Sequence, residues 1–190
     1  NSDIDPVVYG SENCRKANSA LKKLLGEAES PFKPYTREEL RKLFGFRAKD
    51  TDISFEDFVR TEVRKVQQGK FENGNYFMRY VKNWNETTTE YGAVRYKNVG
   101  YAKIKAIVED DTESIFTPCT YKVRGCETLN GTSFQVTEIS SFRGRFCEQA
   151  RTGEVVVAQG KVERVMDDVH NRWSYRLLLG NKPSDYMVLA

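Results

Sequence analysis

The sequence predicts an α+β chain, with a helical front over residues 1–85 and a small antiparallel β-barrel over residues 93–190. Two regimes of apolar spacing and one boundary carry this. Before residue 70 the apolar residues recur at three- and four-residue steps, and after residue 100 they alternate in period two. Between the regimes runs a polar connection from Asn83 to Gly92, with Thr87, Thr88 and Thr89 in succession.

The first helix opens at Ser11 as its cap, repeats Cys14, Ala17, Leu21 and Leu24 on one face, and stops at Gly26. Pro31 and Pro34 mark the linker that follows. Thr36-x-x-Glu39 has the spacing of a capping box, ahead of a short stripe of Leu40, Leu43 and Phe44 ending at Gly45. Ser54-x-x-Asp57 starts the third helix, whose apolar face runs through Phe55, Phe58, Val59, Val63 and Val66 toward Gly69. Its other face carries Arg60, Arg64 and Lys65, with Lys70 just beyond. These are either a solvated face that suits a helix C-terminus or a set of phosphate contacts.

Tyr76-Phe77-Met78-Arg79-Tyr80-Val81 reads as a strand, too short and aromatic for a helix. Farther on, Ala102, Ile104, Ala106 and Val108 alternate with Lys103 and Lys105. Ile115 to Val123, Phe134 to Ile139, Glu154 to Met166 and Trp173 to Leu179 follow, and Tyr186 to Leu189 adds a sixth strand. Gly160 inside an apolar strand predicts a bulge or sharp bend of the sort that closes a small barrel, and Asp167, Asp168 and Asn171 turn a hairpin. Such a barrel, of the oligonucleotide-binding type, grips single strands through aromatic stacking and cations. Lys103, Lys105, Lys122, Arg124, Arg143, Arg145, Lys161 and Arg164, with Tyr101, Phe142 and Trp173, supply the residue types.

Ser141-Phe142-Arg143-Gly144-Arg145-Phe146-Cys147-Glu148-Gln149-Ala150 fits neither periodicity. Two arginines flank a glycine that lets the backbone approach a phosphate. The alternative is a plug, with Phe142 and Phe146 sealing one end of the barrel and Arg143 paired with Glu148. A catalytic Cys147 is disfavoured, because His170, the sole imidazole that could serve as its base, lies in a different turn.

The composition, 39% hydrophobic and 30% charged with a net charge of +3, is ordinary for a globular protein, and the mixed charges give little pull on a polyanion. No apolar stretch reaches membrane-spanning length, so no membrane partner is expected. Four cysteines without C-x-x-C spacing, beside one histidine, argue against zinc and for reduced thiols in the cytoplasm.

The opening residues Asn1-Ser2-Asp3-Ile4-Asp5 set two carboxylates one residue apart ahead of Val7-Val8-Tyr9. On a strand Asp3 and Asp5 project from one face, either as ligands of a hard cation such as Mg²⁺ or Mn²⁺ or as a frayed, solvated pair. Ser2-Asp3-Ile4-Asp5 with the following strand and helix resembles the D-h-D strand of the DNA polymerase beta-like nucleotidyltransferase superfamily. Further blocks are similar to archaeal proteins predicted to be nucleotidyltransferases. They are Phe55-Glu56-Asp57-Phe58-Val59-Arg60, Gly69-Lys70-Phe71, Tyr76-Phe77-Met78-Arg79, Ile115-Phe116-Thr117-Pro118-Cys119, the Ser141–Ala150 segment and Asp185-Tyr186-Met187-Val188.

The resemblance implies a partial nucleotidyltransferase-like α/β front domain, truncated before Asn1, where the superfamily carries a Gly-Ser turn. It implies Asp3 and Asp5 as catalytic metal ligands, with Glu72 or Asn75 where a third acid normally stands. Arg79, Arg60 and Arg64 would hold the phosphates of an NTP. The implied reaction is Mg²⁺-dependent transfer of a nucleoside monophosphate to an acceptor, nucleic acid being one candidate. The rival expectation is a non-catalytic nucleic-acid-binding or assembly protein with a degenerate transferase region, in which Lys103, Lys105, Arg143 and Arg145 contact the strand. The sequence specifies no oligomeric state.

Overall fold

The computed structural model describes residues 4–47, 49, 51–87 and 90–190, so Asp3 lies outside the described residues. The elements, in chain order, are β1 (Val7–Tyr9), α1 (Ser11–Gly26), β2 (Phe32–Lys33), α2 (Arg37–Arg47), α3 (Phe55–Glu62), β3 (Gln68–Phe71), β4 (Gly74–Phe77) and β5 (Arg79–Val81). Then come β6 (Val94–Asp110), β7 (Cys119–Gly131), β8 (Val136–Ser141), β9 (Val155–Asp167), β10 (Arg172–Leu179) and β11 (Tyr186–Leu189).

Local capping chemistry sets two of the three helix starts. At α2 the Thr36 N–H and hydroxyl donate to the Glu39 carboxylate at 2.8 and 2.9 Å, and the Glu39 N–H donates back to Thr36 Oγ1, a full capping box. At α3 Ser54 Oγ accepts from the Asp57 N–H at 3.1 Å. Ser11 behaves differently. Gly10 precedes α1, and the Ser11 N–H and hydroxyl both donate to the Glu86 carboxylate, which arrives from a 3-10 turn at residues 84–86. These hydrogen bonds hold the Glu86 carboxyl below its usual range. The third helix also stops sooner than its apolar face suggested, at Glu62. Beyond it, the Val66 and Gln67 N–H groups both donate at 2.8 Å to the carboxylate of Glu148.

In the front half β1 pairs parallel with β5, Val7 opposite Arg79, and Ile4 bridges Tyr76 of β4. Strands β2, β3 and β4 form a separate antiparallel sheet. Helix α1 covers one face of this region, where Cys14 packs on Tyr80 and Phe116, and Leu21 on Val66 and Tyr76. The opposite face, bearing Asp5, Asn75, Phe77 and Arg79 in period-two alternation, is left open.

In the back half six strands run in the order β10-β8-β7-β6-β9-β11. Strand β10 is bonded along both edges, parallel to β8 and antiparallel to β9. Its end, Leu177-Leu178-Leu179, is buried throughout, as is Ile139-Ser140-Ser141 beside it. The main core gathers Ile104, Val108, Tyr121, Val156, Val162 and Met187. In it Cys119 and Cys147 meet as free thiols. Their mutual hydrogen bond, with burial, raises Cys119, and the same hydrogen bond lowers Cys147.

These findings correct the expected fold class. The chain is mostly β, with 43% strand and 22% helix, its large sheet is a mixed six-stranded one, and the front is not a nucleotidyltransferase-like α/β domain. Period-two alternation is the same for parallel and antiparallel pairing, so the sequence could not reveal that β8 and β10 run together. Nor does Gly160 mark a bulge, because the register of β9 against β6 slips at Asn98/Gly100 instead. A Cβ at Gly160 would stand 2.7 Å from the Leu178 carbonyl oxygen, so the glycine admits a close approach of β10.

The two halves are fastened at the buried segment after Phe146. Glu148, at φ 54, turns there to reach Val66, Gln67 and Asn18 Nδ2. Nearby, buried Lys65 donates to Glu62 and to the Arg145 carbonyl.

Candidate functional site

A cleft of about 670 Å³ opens on the uncovered face of the front strands and is closed on its other side by the large sheet's loops. Asp5, Asn75, Phe77 and Arg79 form its floor, and α2 contributes Leu43, Phe46 and Arg47. Opposite stand Arg143, Gly144 and Arg145 after β8, and Gly180, Asn181, Lys182 and Pro183 after β10. Among the described residues, five cations thus face one carboxylate, that of Asp5. A surface of this sign concentrates anions, and guanidinium groups match phosphate oxygens in pairs.

Each cation is placed by identifiable packing, Arg145 by the Phe146 ring, whose centroid lies 5.0 Å from its guanidinium. Arg47 is held at the end of α2 by the carboxylate of Glu62 at 3.1 Å and by Gln68 Oε1 at 3.1 Å. The Arg79 guanidinium lies 5.5 Å from the Phe77 ring centroid, and Phe77 in turn rests on Gly144, where a Cβ would come within 2.6 Å of the ring. Gly180, at φ 89, lets the stem of Arg143 cross the turn, since a Cβ there would stand 2.7 Å from Arg143 Cγ. The turn that carries Lys182 is ordered by buried Asp185, whose carboxylate accepts from the Asn181 and Lys182 N–H groups and from the Tyr101 hydroxyl. Burial, and then the bond to Asp185, push the Tyr101 hydroxyl up to about 12.

Five of the residues singled out in the sequence therefore meet in one place: Asp5, Asn75, Arg79, Arg143 and Arg145. The others lie elsewhere. Arg60 donates to the Leu189 carbonyl, and Arg64 pairs with Glu154 at 2.9 Å, both fastening α3 and the residues after it to the large sheet. Glu72 sits at the β3–β4 turn at φ 49, outside the cleft lining. Lys103 lies 5.8 Å from the Tyr186 ring, and Lys105 is exposed on β6; neither lines the cleft with Arg143 and Arg145. The plug pairing of Arg143 with Glu148 is not made: Glu148 is taken up by Val66, Gln67 and Asn18. Phe146 is buried, while Phe142 is exposed. Cys147 is buried with its thiol on the Phe116 carbonyl, and His170 pairs with Asp167 in the β9–β10 turn.

The described donors do not fit a hard divalent cation. Asp5 is their one carboxylate in the cleft, Asn75 Oδ1 accepts from Lys70 Nζ at 3.2 Å, and Glu72 is outside. No group of three metal-ligating side chains occurs among the described residues. Asp3, the remaining expected ligand, lies outside them.

Arg47, Phe46 and Lys182 were not anticipated. Nothing in the sequence sets Arg47 apart from other cations near a helix end, and the signal nearest Lys182 is the turn-forming run Gly180-Asn181-Lys182-Pro183.

Fold and site thus define a mostly-β protein with a basic cleft between a small helical front and a mixed sheet. Among known proteins it is similar to the uncharacterized protein MJ1086 of Methanocaldococcus jannaschii, 34% identical over 180 residues, covering 95% of this chain and 51% of the relative. The chain spans about half the length of that relative. No family model matches it, and no solved structure does. Among the described residues no helix is long and apolar enough to cross a membrane.

Proposed function

We propose that the cleft binds a phosphate-bearing ligand of the nucleotide or nucleic-acid class. The observation that carries this reading is the convergence of Arg47, Arg79, Arg143, Arg145 and Lys182, from four separate stretches of chain, around Asp5, the one carboxylate among the described lining residues. Fork-shaped guanidinium groups and an ammonium suit phosphoryl oxygens, and Asn181 adds a neutral amide. A reducing, cytoplasmic setting suits the free thiols.

Titration calorimetry at low salt with inorganic pyrophosphate and with an NTP tests the reading. Arg79→Gln and Arg143→Gln should each weaken binding about tenfold, the loss of roughly 1.4 kcal/mol expected for one charge-assisted contact. Absence of binding to both probes, or affinity unmoved by both substitutions, overturns it.

A second reading, nucleotidyl transfer dependent on Mg²⁺ or Mn²⁺, is favoured by Asp5 lying in the same cleft as Arg79 and by the resemblance of Ser2-Asp3-Ile4-Asp5 to the D-h-D strand. The described donors do not assemble a metal site. A labelled-nucleotide transfer assay decides: activity lost in Asp5→Asn supports transfer, and activity retained in the Asp3→Asn, Asp5→Asn double variant excludes it.

A further inference from the structure

At the end of the large sheet remote from the cleft, the first residues of β6 and the β9–β10 hairpin form a three-stranded arm. The register aligns Arg95 with Met166 and Trp173, and Lys97 with Arg164 and Tyr175. Residues opposite one another in antiparallel strands share a face, so these six side chains lie together. Trp173 is 59% exposed, yet it packs edge-on against Tyr175 at 5.4 Å, and Tyr175 tilts against Phe134 at 4.9 Å. The Arg164 guanidinium lies 4.9 Å from the Trp173 ring centroid. Arg95 is occupied by Asp168 in the turn, whereas Asp167 and Glu163 fall on the opposite face by register. Lys97 and Arg164 are therefore the cations this face offers to a ligand.

We propose that this arm is a stacking surface for single-stranded nucleic acid, with bases on Trp173 and phosphates on Lys97 and Arg164. An exposed indole already fixed by an aromatic neighbour and a guanidinium offers a π-face at little ordering cost, and unpaired bases are what such a face accepts. Asp168, the carboxylate described at this face, is taken up by Arg95, so Lys97 and Arg164 leave the face cationic, which selects a polyanion over an apolar partner. The inference does not depend on the cleft. Trp173 and Gly180 stand at opposite ends of β10, seven residues or about 23 Å apart at the rise of a strand.

Fluorescence anisotropy with labelled dT and rU oligonucleotides at low salt, and with a duplex as control, tests the proposal on the full chain. Trp173→Ala should weaken single-strand binding about tenfold or more, and Trp173→Phe should retain most of it, because base stacking survives a smaller ring. Lys97→Gln with Arg164→Gln should flatten the log–log salt slope by about 1.4, from roughly 0.7 for each phosphate released. Thermal melting should barely move in Trp173→Ala, since the ring is largely in solvent. The proposal is overturned by absence of single-strand binding, by equal binding of duplex, or by affinity unchanged in Trp173→Ala. It is equally overturned if binding is lost only with Arg79→Gln and Arg143→Gln, which would assign the strand to the cleft. A dimer in sedimentation that Trp173→Ala dissolves would make the arm a self-association surface and overturn it too.

Discussion

Replacing Glu62 by alanine should be the most damaging single truncation near the cleft. Its carboxylate, in a residue 4% exposed, accepts from Lys65, Arg47 and Gln68 at once. Lys65 is itself 5% exposed, so its ammonium cannot recover solvation when the partner goes. Removing one partner of a buried ion pair costs about 3–5 kcal/mol. Lys65 keeps the Arg145 carbonyl and Arg47 lies nearer solvent, which places the loss at the low end, about 3 kcal/mol. With a urea slope of about 2 kcal/mol/M for a chain of this size, the unfolding midpoint should fall by about 1.5 M. Urea titration followed by intrinsic fluorescence measures this directly. A double variant, Glu62→Leu with Lys65→Met, removes both charges and should recover at least half of the loss, because the penalty arises from the stranded ammonium. A single-variant loss under about 1 kcal/mol, or a double variant less stable than the single one, would refute the reasoning.

Gly160→Ala should cost about 2 kcal/mol by driving a methyl group into the Leu178 carbonyl and the Leu179 side chain, seen as a melting temperature lower by roughly 6 °C. Asp110 is held at about 2 by the Thr112 N–H and hydroxyl and by Lys122, so its stabilisation is full above about pH 4 and lost as pH falls toward 2. Asp110→Asn should therefore lower stability by about 1 kcal/mol at pH 7, allowing for solvent screening, and the gap to the parent should close near pH 2 in urea titrations. Gly180→Ala should cost about 1 kcal/mol from the left-handed backbone, read by urea unfolding, and should also weaken pyrophosphate binding by displacing Arg143, read by titration calorimetry.

What the sequence revealed was local. Thr36 with Glu39, and Ser54 with Asp57, lie three residues apart and found each other as their spacing required. The Ser11 start was visible but its partner was not, because Glu86 comes from 75 residues away. The period-two alternation of Asn75, Phe77 and Arg79 allowed Arg79 to be singled out, and the Arg-Gly-Arg run drew attention to Arg143 and Arg145. Nothing in either stretch shows that they face each other, since that depends on how the front half docks on the sheet. Arg60 and Arg64 illustrate the converse: as helix-face cations they suited phosphate or solvent equally, and a carbonyl and a carboxylate from the distant chain end and β9 approach engaged them instead. The short front strands likewise gave no sign that they would divide into two small sheets rather than one α/β layer.

Glu148 has a bearing on how the cleft meets a ligand. Its carboxylate clasps the backbone after α3, and three residues earlier the chain presents Arg145, while Lys65 grips that arginine's own carbonyl. The walls bearing Arg79 and Arg143 are thus clamped to one another before anything enters, and the entropy of bringing them together is spent during folding. Binding at such a site proceeds without closure, so its heat-capacity change should be small and its strength should follow ionic strength closely.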